Sequence, residues 1–365
     1  MKPIITGISI ITSLGLDNET NWENLLNKKT AISKIEGIDL ENLPIKNGYE
    51  IKYLIDKKDR WKELFSIMMK NLILDSNLSK KDITNSILSL GLSFPGIEAN
   101  NYFKPIKKIE TFLKEEYKFR KIIINTNTCA ASNFAINIGA KLIENGIIDR
   151  VISGGFDLLS KYIFFGFNSL HTLTNNTPTP FSKNRDGLSL GEGGALILLE
   201  NLNSVKSRNN KKEYCKYIEF AANSDTSGVT GIDKTYIGLE DCFRNILKKS
   251  NLNIEDIDLI VTHATATKQN DLIEAKAIKN VFDNNPLITA FKPYFGHTLG
   301  GSSAIQVAFI AKMFETNTII GINDTNDLEY ELNFLKNNTK KTIKHILNNG
   351  LGFGGINSSI LLGVC

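Results

Sequence analysis

Short β-branched runs alternate with stretches of helical period along this chain. The run from Pro3 to Thr12 reads as a strand, and a helix follows around Asn21 to Asn27. In RWKELFSIMMKNLIL the residues Trp61, Leu64, Ile67, Met68 and Leu72 recur at helical spacing and share one face. ITNSILSLGLSF reads as a strand that ends in a turn at Pro95 and Gly96. The lysine-rich residues 100–120 carry no readable period. Ile122, Ile123 and Ile124 then form a strand that leads through Cys129 into a helix. That helix is expected to bury Ala131, Phe134, Ala135, Ile138 and Leu142 and to stop at Asn145-Gly146. RVISGGFD is the next strand, an irregular stretch follows, and GGALILLE is a strand again.

A polar, basic segment, NLNSVKSRNNKKEY, interrupts the pattern, and beyond it the same grammar returns. YIEFAANSD is a strand, GLEDCFRNILKKS a helix, and IDLIVTHATAT a strand that runs into a loop. NDLIEAKAIKNVF is a helix, FKPYFGHTLGGSSAIQVAFIAKMF passes from turn into helix, and NSSILLGV is the last strand. Buried strands joined by crossover helices in both halves predict a layered α/β architecture, with one unit over residues 1–204 and a second over 205–365.

Composition changes this picture little. The chain has 365 residues, 42% hydrophobic and 22% charged, which is ample for two packed units and unlike a disordered chain. A net charge of +4 with no dominant basic block argues against nucleic-acid binding. Lys206, Arg208, Lys211 and Lys212 form the densest basic cluster, read as a solvated loop or a contact for an acidic partner. The four cysteines, Cys129, Cys215, Cys242 and Cys365, lack the spacing of a disulfide framework. The N-terminal residues lack the apolar core of a signal peptide, and no apolar run is long enough to span a bilayer. The expectation is a cytoplasmic, reduced protein that does not enter a membrane.

Candidate chemistry concentrates in few residues. Of the four histidines, His263 follows the apolar strand IDLIV, and His297 stands in a glycine-flanked turn before a small-residue helix. Each could be structural, but two in matching settings beside a cysteine turn suggest a shared site. Without an HxxxH or CxxC pair, a zinc site has a poor basis. Cys129 at a helix start could be an inert small hydrophobe. The unpaired N–H groups and dipole of a helix N-terminus would instead favour its thiolate and could serve an oxyanion. Gly191, Gly193 and Gly194 precede a strand rather than a helix, which excludes a dinucleotide-binding turn.

Five stretches in order, TCAAS with Cys129, PFSKNRDGLSLGEGG, THATATKQND with His263, KPYFGHTLGG with Lys292 and His297, and GFGGINSS with Phe353, resemble the decarboxylating Cys-His-His β-ketoacyl-acyl carrier protein synthases. The resemblance implies the thiolase-like fold, layered αβαβα from two pseudo-repeated halves. It also implies a set of roles. Cys129 would take an acyl group from an acyl carrier protein, and His263 and His297 would stabilise the enolate formed when malonyl carrier protein loses CO2. Backbone N–H groups of Cys129 and Phe353 would form the oxyanion hole. Lys292 and Glu274 would make a supporting ion pair, Thr265 and Thr267 would bind the phosphopantetheine arm, and Phe353 with Phe167 would gate the acyl pocket. Neither a metal nor a cofactor is implied. The partners implied are acyl- and malonyl-loaded carrier proteins and a second subunit, identical or related.

This chain departs from the family pattern at several positions. Gln306 stands where Glu is usual, Ala264 where Gly is usual, and Lys268 where Pro is usual; Asn127-Thr128 precedes the cysteine, and the region before it is short. Two other readings share the motifs: a non-elongating chain-length subunit of a heterodimer, and an acyltransferase that never decarboxylates. Retention of Cys129, both histidines and Lys292 speaks against both.

Overall fold

The computed structural model describes residues 2–94, 103–208, 212–225, 235–283, 286–322 and 327–365. Five strands come from the first part of the chain: β1 (Ile4–Thr12), β2 (Ile87–Gly91), β3 (Lys121–Asn125), β4 (Arg150–Asp157) and β5 (Gly193–Glu200). Five more follow: β6 (Cys215–Ser224), β7 (Leu259–Val261), β8 (Leu287–Thr289), β9 (His345–Gly352) and β10 (Ile356–Gly363). They hydrogen-bond in the order β8-β7-β9-β10-β6-β1-β5-β4-β2-β3. Outward from the β1–β6 junction both arms repeat one plan. Two antiparallel pairings (β1 with β5 and β5 with β4; β6 with β10 and β10 with β9) are followed by two parallel ones. The junction is only two residue pairs wide, Ile4 with Lys216 and Ile5 with Cys215.

The main helices are α1 (Asn18–Leu26), α2 (Arg60–Ser76), α3 (Phe103–Tyr117), α4 (Ala131–Glu144), α5 (Lys161–Ser169), α6 (Ile237–Ser250), α7 (Lys268–Phe282) and α8 (Ser302–Thr316). Helices α4 and α8 touch each other and strands of both arms, whereas α2 lies against β1 and β5, and α6 against β6, β10 and α7. Strand alternation fits these layers. On β10, Ile360 and Leu362 enter the central core while Leu361 joins the outer core around α6 and α7. On β1, Ile8 and Ile10 face the centre and Ile11 faces α2. The order is helix, sheet, helix, sheet, helix, as expected.

Several boundaries differ from the sequence reading. Helix α1 starts at Asn18 because the Asp17 carboxylate caps it, accepting from Thr20 N at 2.8 Å. The unassigned lysine-rich stretch contains α3, held by buried Ile109 and Leu113. The segment before β2 begins as a capped helical turn, Lys80–Thr84, so the strand is shorter than ITNSILSLGLSF. The turn expected at Pro95-Gly96 lies outside the described residues. Strands β8 and β9 and helix α5 have no counterpart among the elements expected from the sequence. On α4 the deepest positions are Ala131, Ser132, Asn133, Ala135, Ile136, Gly139, Ala140 and Ile143, while Phe134, Ile138 and Leu142 are only half-buried. The side of α4 that meets the strands carries small and polar residues as well as apolar ones, so the apolar period alone does not mark its deepest face. Two residues of the basic cluster are engaged within the chain: Arg208 pairs with Glu200 at 2.5 Å and Lys212 with Asp75 at 2.7 Å.

Candidate active site

Cys129 lies in a tight turn, Thr128–Ala130, between β3 and α4. Thr128 has φ 48°, a left-handed conformation costly for a β-branched residue. Its hydroxyl donates to the Phe353 carbonyl at 3.2 Å. Gly352 makes that approach possible, since a Cβ there would run into Thr128 Oγ1 and stand 3.5 Å from the amide nitrogen of Cys129. The turn and the loop after β9 therefore meet backbone to backbone. Gly354 and Gly355, at φ 83° and 69°, carry the loop on into β10.

Two carboxylates on one face of α7 shape the loop after β7. Glu274 accepts from His263 N at 2.6 Å, Ala264 N at 2.8 Å and Asn349 Nδ2 at 2.6 Å. Asp271 accepts from Ala266 N at 3.2 Å and from Phe181 N at 2.7 Å. Successive N–H groups converge on these anions because Ala264 and Ala266 adopt positive φ, 45° and 63°. His297 is fixed from the other side: its N–H donates to Ser189 O at 2.9 Å and its carbonyl accepts from Gly191 N at 3.0 Å. The LSLG part of the second sequence block is thus a backbone clamp for this histidine.

The imidazoles of His263 and His297 meet edge to face, 5.2 Å between centroids. Lys292, buried, donates to the His263 carbonyl and lies 3.4 Å from its Nδ1. An ammonium at Nδ1 makes that nitrogen the acceptor and leaves the proton on Nε2. Burial, with Lys292 adding to it, drives both imidazoles well below their ordinary range, so both are neutral. Lys292 itself falls to about 8 through burial, opposed by Glu274 and Cys129. Two expectations fail here. Lys292 and Glu274 form no direct ion pair; Glu274 is saturated by backbone and Asn349 donors and acts on Lys292 only through space. Nor is Cys129 a ready thiolate. Burial pushes it up to about 12 against the pull of Lys292. It also sits two residues before the first residue of α4, in the lead-in turn.

A cavity of about 590 Å³ joins these parts, lined by Cys129, His263 and His297 at its base and by Thr265 and Thr267 further out. The hydroxyls of Thr265 and Thr267 are 3.0 Å apart. Phe167 of α5 and Phe353 stack in its wall, 5.4 Å between centroids and 23° between planes. Lys292 and Glu274 stand behind the histidines rather than on the cavity surface. Sequence reasoning gave no role to Asp271, Asp157 or Asn349. Asp157, buried at the end of β4, accepts from Ser93 N, Phe94 N and Gly300 N at 2.9, 2.7 and 2.7 Å, and so ties the turn after His297 to the β2 loop. The spacing of Asp271 and Glu274, which puts both on one helix face, was the signal available for Asp271. Gln306 is buried and donates to Thr262 O at 2.9 Å. Among the described residues no group of three or more potential metal ligands exists.

The fold is that of known ketosynthases. The ishigamide ketosynthase/chain length factor superposes with a TM-score of 0.90 at 22% identity, covering 100% of this chain and 99% of that one. A β-ketoacyl synthase from Burkholderia phymatum gives 0.86 at 20% identity, with 100% and 99% covered. These likenesses establish a thiolase-like fold. Sequence goes further. Residues 121–204 match the N-terminal domain model of the β-ketoacyl synthases and residues 214–324 the C-terminal one. The chain is 29% identical to 3-oxoacyl-[acyl-carrier-protein] synthase 1 of Buchnera aphidicola, with 99% of both chains aligned. It is 27% identical to the chloroplastic 3-oxoacyl-[acyl-carrier-protein] synthase II of Arabidopsis thaliana, aligning 99% of this chain and 75% of that one. The chain belongs to the β-ketoacyl synthase family.

Proposed function

We propose that the chain is a β-ketoacyl-acyl carrier protein synthase, an acyltransferase that forms a carbon–carbon bond in fatty-acid or polyketide synthesis. The observation that carries this reading is one cavity holding a buried thiol beside two neutral imidazoles, one of them oriented by a lysine. In the first half-reaction the Cys129 thiol exchanges with an acyl thioester. The carrier leaves as a free thiol and takes the proton, so a group held near 12 need not ionise at rest. In the second, malonyl thioester loses CO2. His263 and His297 donate through Nε2–H to the enolate oxygen, a task for neutral donors rather than for a base. The carbanion attacks the acyl-Cys129 carbonyl, whose oxyanion faces the N–H groups of Cys129 and Phe353. The tetrahedral intermediate collapses and expels Cys129 as a thiolate, which takes one proton from water to regain the thiol.

In this reading residues 1–204 supply the nucleophile and 205–365 both histidines, Thr265 and Thr267 line the path of the phosphopantetheine arm, and Phe167 with Phe353 closes the acyl end. The partners are acyl and malonyl carrier proteins. A second subunit is expected. The likeness to the ishigamide ketosynthase/chain length factor and to the ketosynthase ApeO in complex with its chain length factor ApeC favours a chain length factor as that subunit over a second identical chain.

Intact-protein mass after exposure to acyl carrier proteins tests the scheme. Wild-type chain should gain one acyl group and lose it when malonyl carrier protein yields a two-carbon-longer product. Cys129→Ala should gain none, and an adduct retained elsewhere would remove Cys129 as nucleophile. His297→Ala should still acylate but release no CO2 from malonyl carrier protein; undiminished CO2 would contradict the donor role.

A further inference from the structure

We infer that Lys268 is a specificity residue of this cavity and recognises the phosphate at the outer end of the phosphopantetheine arm. The inference rests on the proposed function and adds to it the ligand group read at the rim.

One short segment traces the cavity from base to mouth. His263 and Thr265 are buried, Thr267 is half-buried, and Lys268 is exposed, yet all four line the same cavity. Chemistry changes in step with depth: thiol and imidazole at the base, paired hydroxyls in the middle, an ammonium at the rim. A thioester, an amide-bearing arm and a phosphate meet a thiol, hydroxyls and a cation in that order.

Among the described residues two permanent cations line the cavity, Arg185 and Lys268. Arg185 is buried and committed. It bonds Glu329, Ser182 O and Tyr330 Oη, and Asp271 lies 3.6 Å from its Nε. Its Nη2 also donates to the Lys268 carbonyl at 3.3 Å, which pins the Lys268 backbone at the first position of α7. Lys268 Nζ, by contrast, has no ion-pair or hydrogen-bond partner among the described residues. The one acid on the cavity wall among the described residues, Asp186, is held elsewhere by Thr174 Oγ1 at 2.8 Å and Asn176 Nδ2 at 2.9 Å. A fixed backbone with a free ammonium suits an anion that arrives with the substrate. An exposed ammonium–phosphate contact of this kind is screened by salt.

The experiment compares one acyl group carried on pantetheine and on 4′-phosphopantetheine, donors that differ only in the phosphate. Acylation of Cys129 is followed by mass. For the wild-type chain, kcat/KM should favour the phosphorylated donor by roughly three- to tenfold through KM, and the preference should shrink as ionic strength rises. In Lys268→Glu the ratio should fall to about one or below, and Lys268→Arg should restore it. A ratio near one in the wild type, or one unchanged in Lys268→Glu, overturns the inference. Acyl-coenzyme A and acyl carrier protein should both show the Lys268 dependence. Dependence with the carrier protein alone would mean contact with the carrier's own surface and would also overturn it. If neither small donor nor any acyl carrier protein acylates Cys129, it is the proposed function that fails, an outcome distinct from equal use of both donors.

Discussion

At the scale of single residues, the site depends on which groups carry protons. Burial leaves Cys129 a thiol and, with Lys292 adding to it, both histidines neutral; it also brings Lys292 down to about 8 and Asp271 and Asp157 up to about 7. In the proposed mechanism the Lys292 ammonium orients His263, and the active form is the protonated one. Lys292 titrates at about 8, so the charge is present below that pH and lost above it. CO2 release from malonyl carrier protein should therefore decline as pH rises through about 8. Lys292→Met should be slower by about tenfold or more and show no such decline. A wild-type profile flat to pH 9.5 would dismiss this role.

At the scale of elements, the site is held by backbone contacts that allow no side chain. Gly91 ends β2 directly under the first turn of α4, where a Cβ would overlap the backbone of Ala131 and Ser132. Backbone cannot rotate aside as a side chain tip can. Gly91→Ala should cost about 1–3 kcal/mol, seen as a lower Tm, and should slow Cys129 acylation by moving its turn. An unchanged Tm with normal acylation would show that β2 and α4 shift apart freely. Much at this scale was legible in the sequence and some was not. The Cys129 turn, the His263 loop and the glycine-rich blocks stood out because tight turns and close approaches restrict residue type. Strand β9 was missed because HILNNGLG carries Asn348, Asn349 and Gly350 where a strand usually carries apolar residues. The asparagines' side-chain N–H groups find acceptors only in the fold: Asn349 donates to Glu274, and Asn348 to Asn133 at 3.1 Å.

At the scale of the whole molecule, α4 and α8 bind the two arms together. Each is packed between strands from both, and Ile136 and Ile310 are fully buried in the shared core. The β1–β6 junction of two residue pairs is too short to do this alone. Ile310→Ala should cost about 2–5 kcal/mol and leave a single unfolding transition, since the cavity lies in a core common to both arms. Two separated transitions in calorimetry would mean that the arms melt independently and that the central layer does not couple them.

The sequence by itself determined the elements with a strong period, the layered α/β class, and one cysteine and two histidines as candidates, because tight turns and buried strands restrict which residues fit. Tertiary structure decided the rest. It brought Cys129 and His263, 134 positions apart in the chain, into one cavity and turned the expected Lys292–Glu274 ion pair into two separate anchors. It also held the thiol up by burial where a helix terminus alone would have drawn it down. Proton affinity, ion pairing and cavity shape depend on what surrounds a group in space, and neighbours in space are set by how the two arms close on α4 and α8.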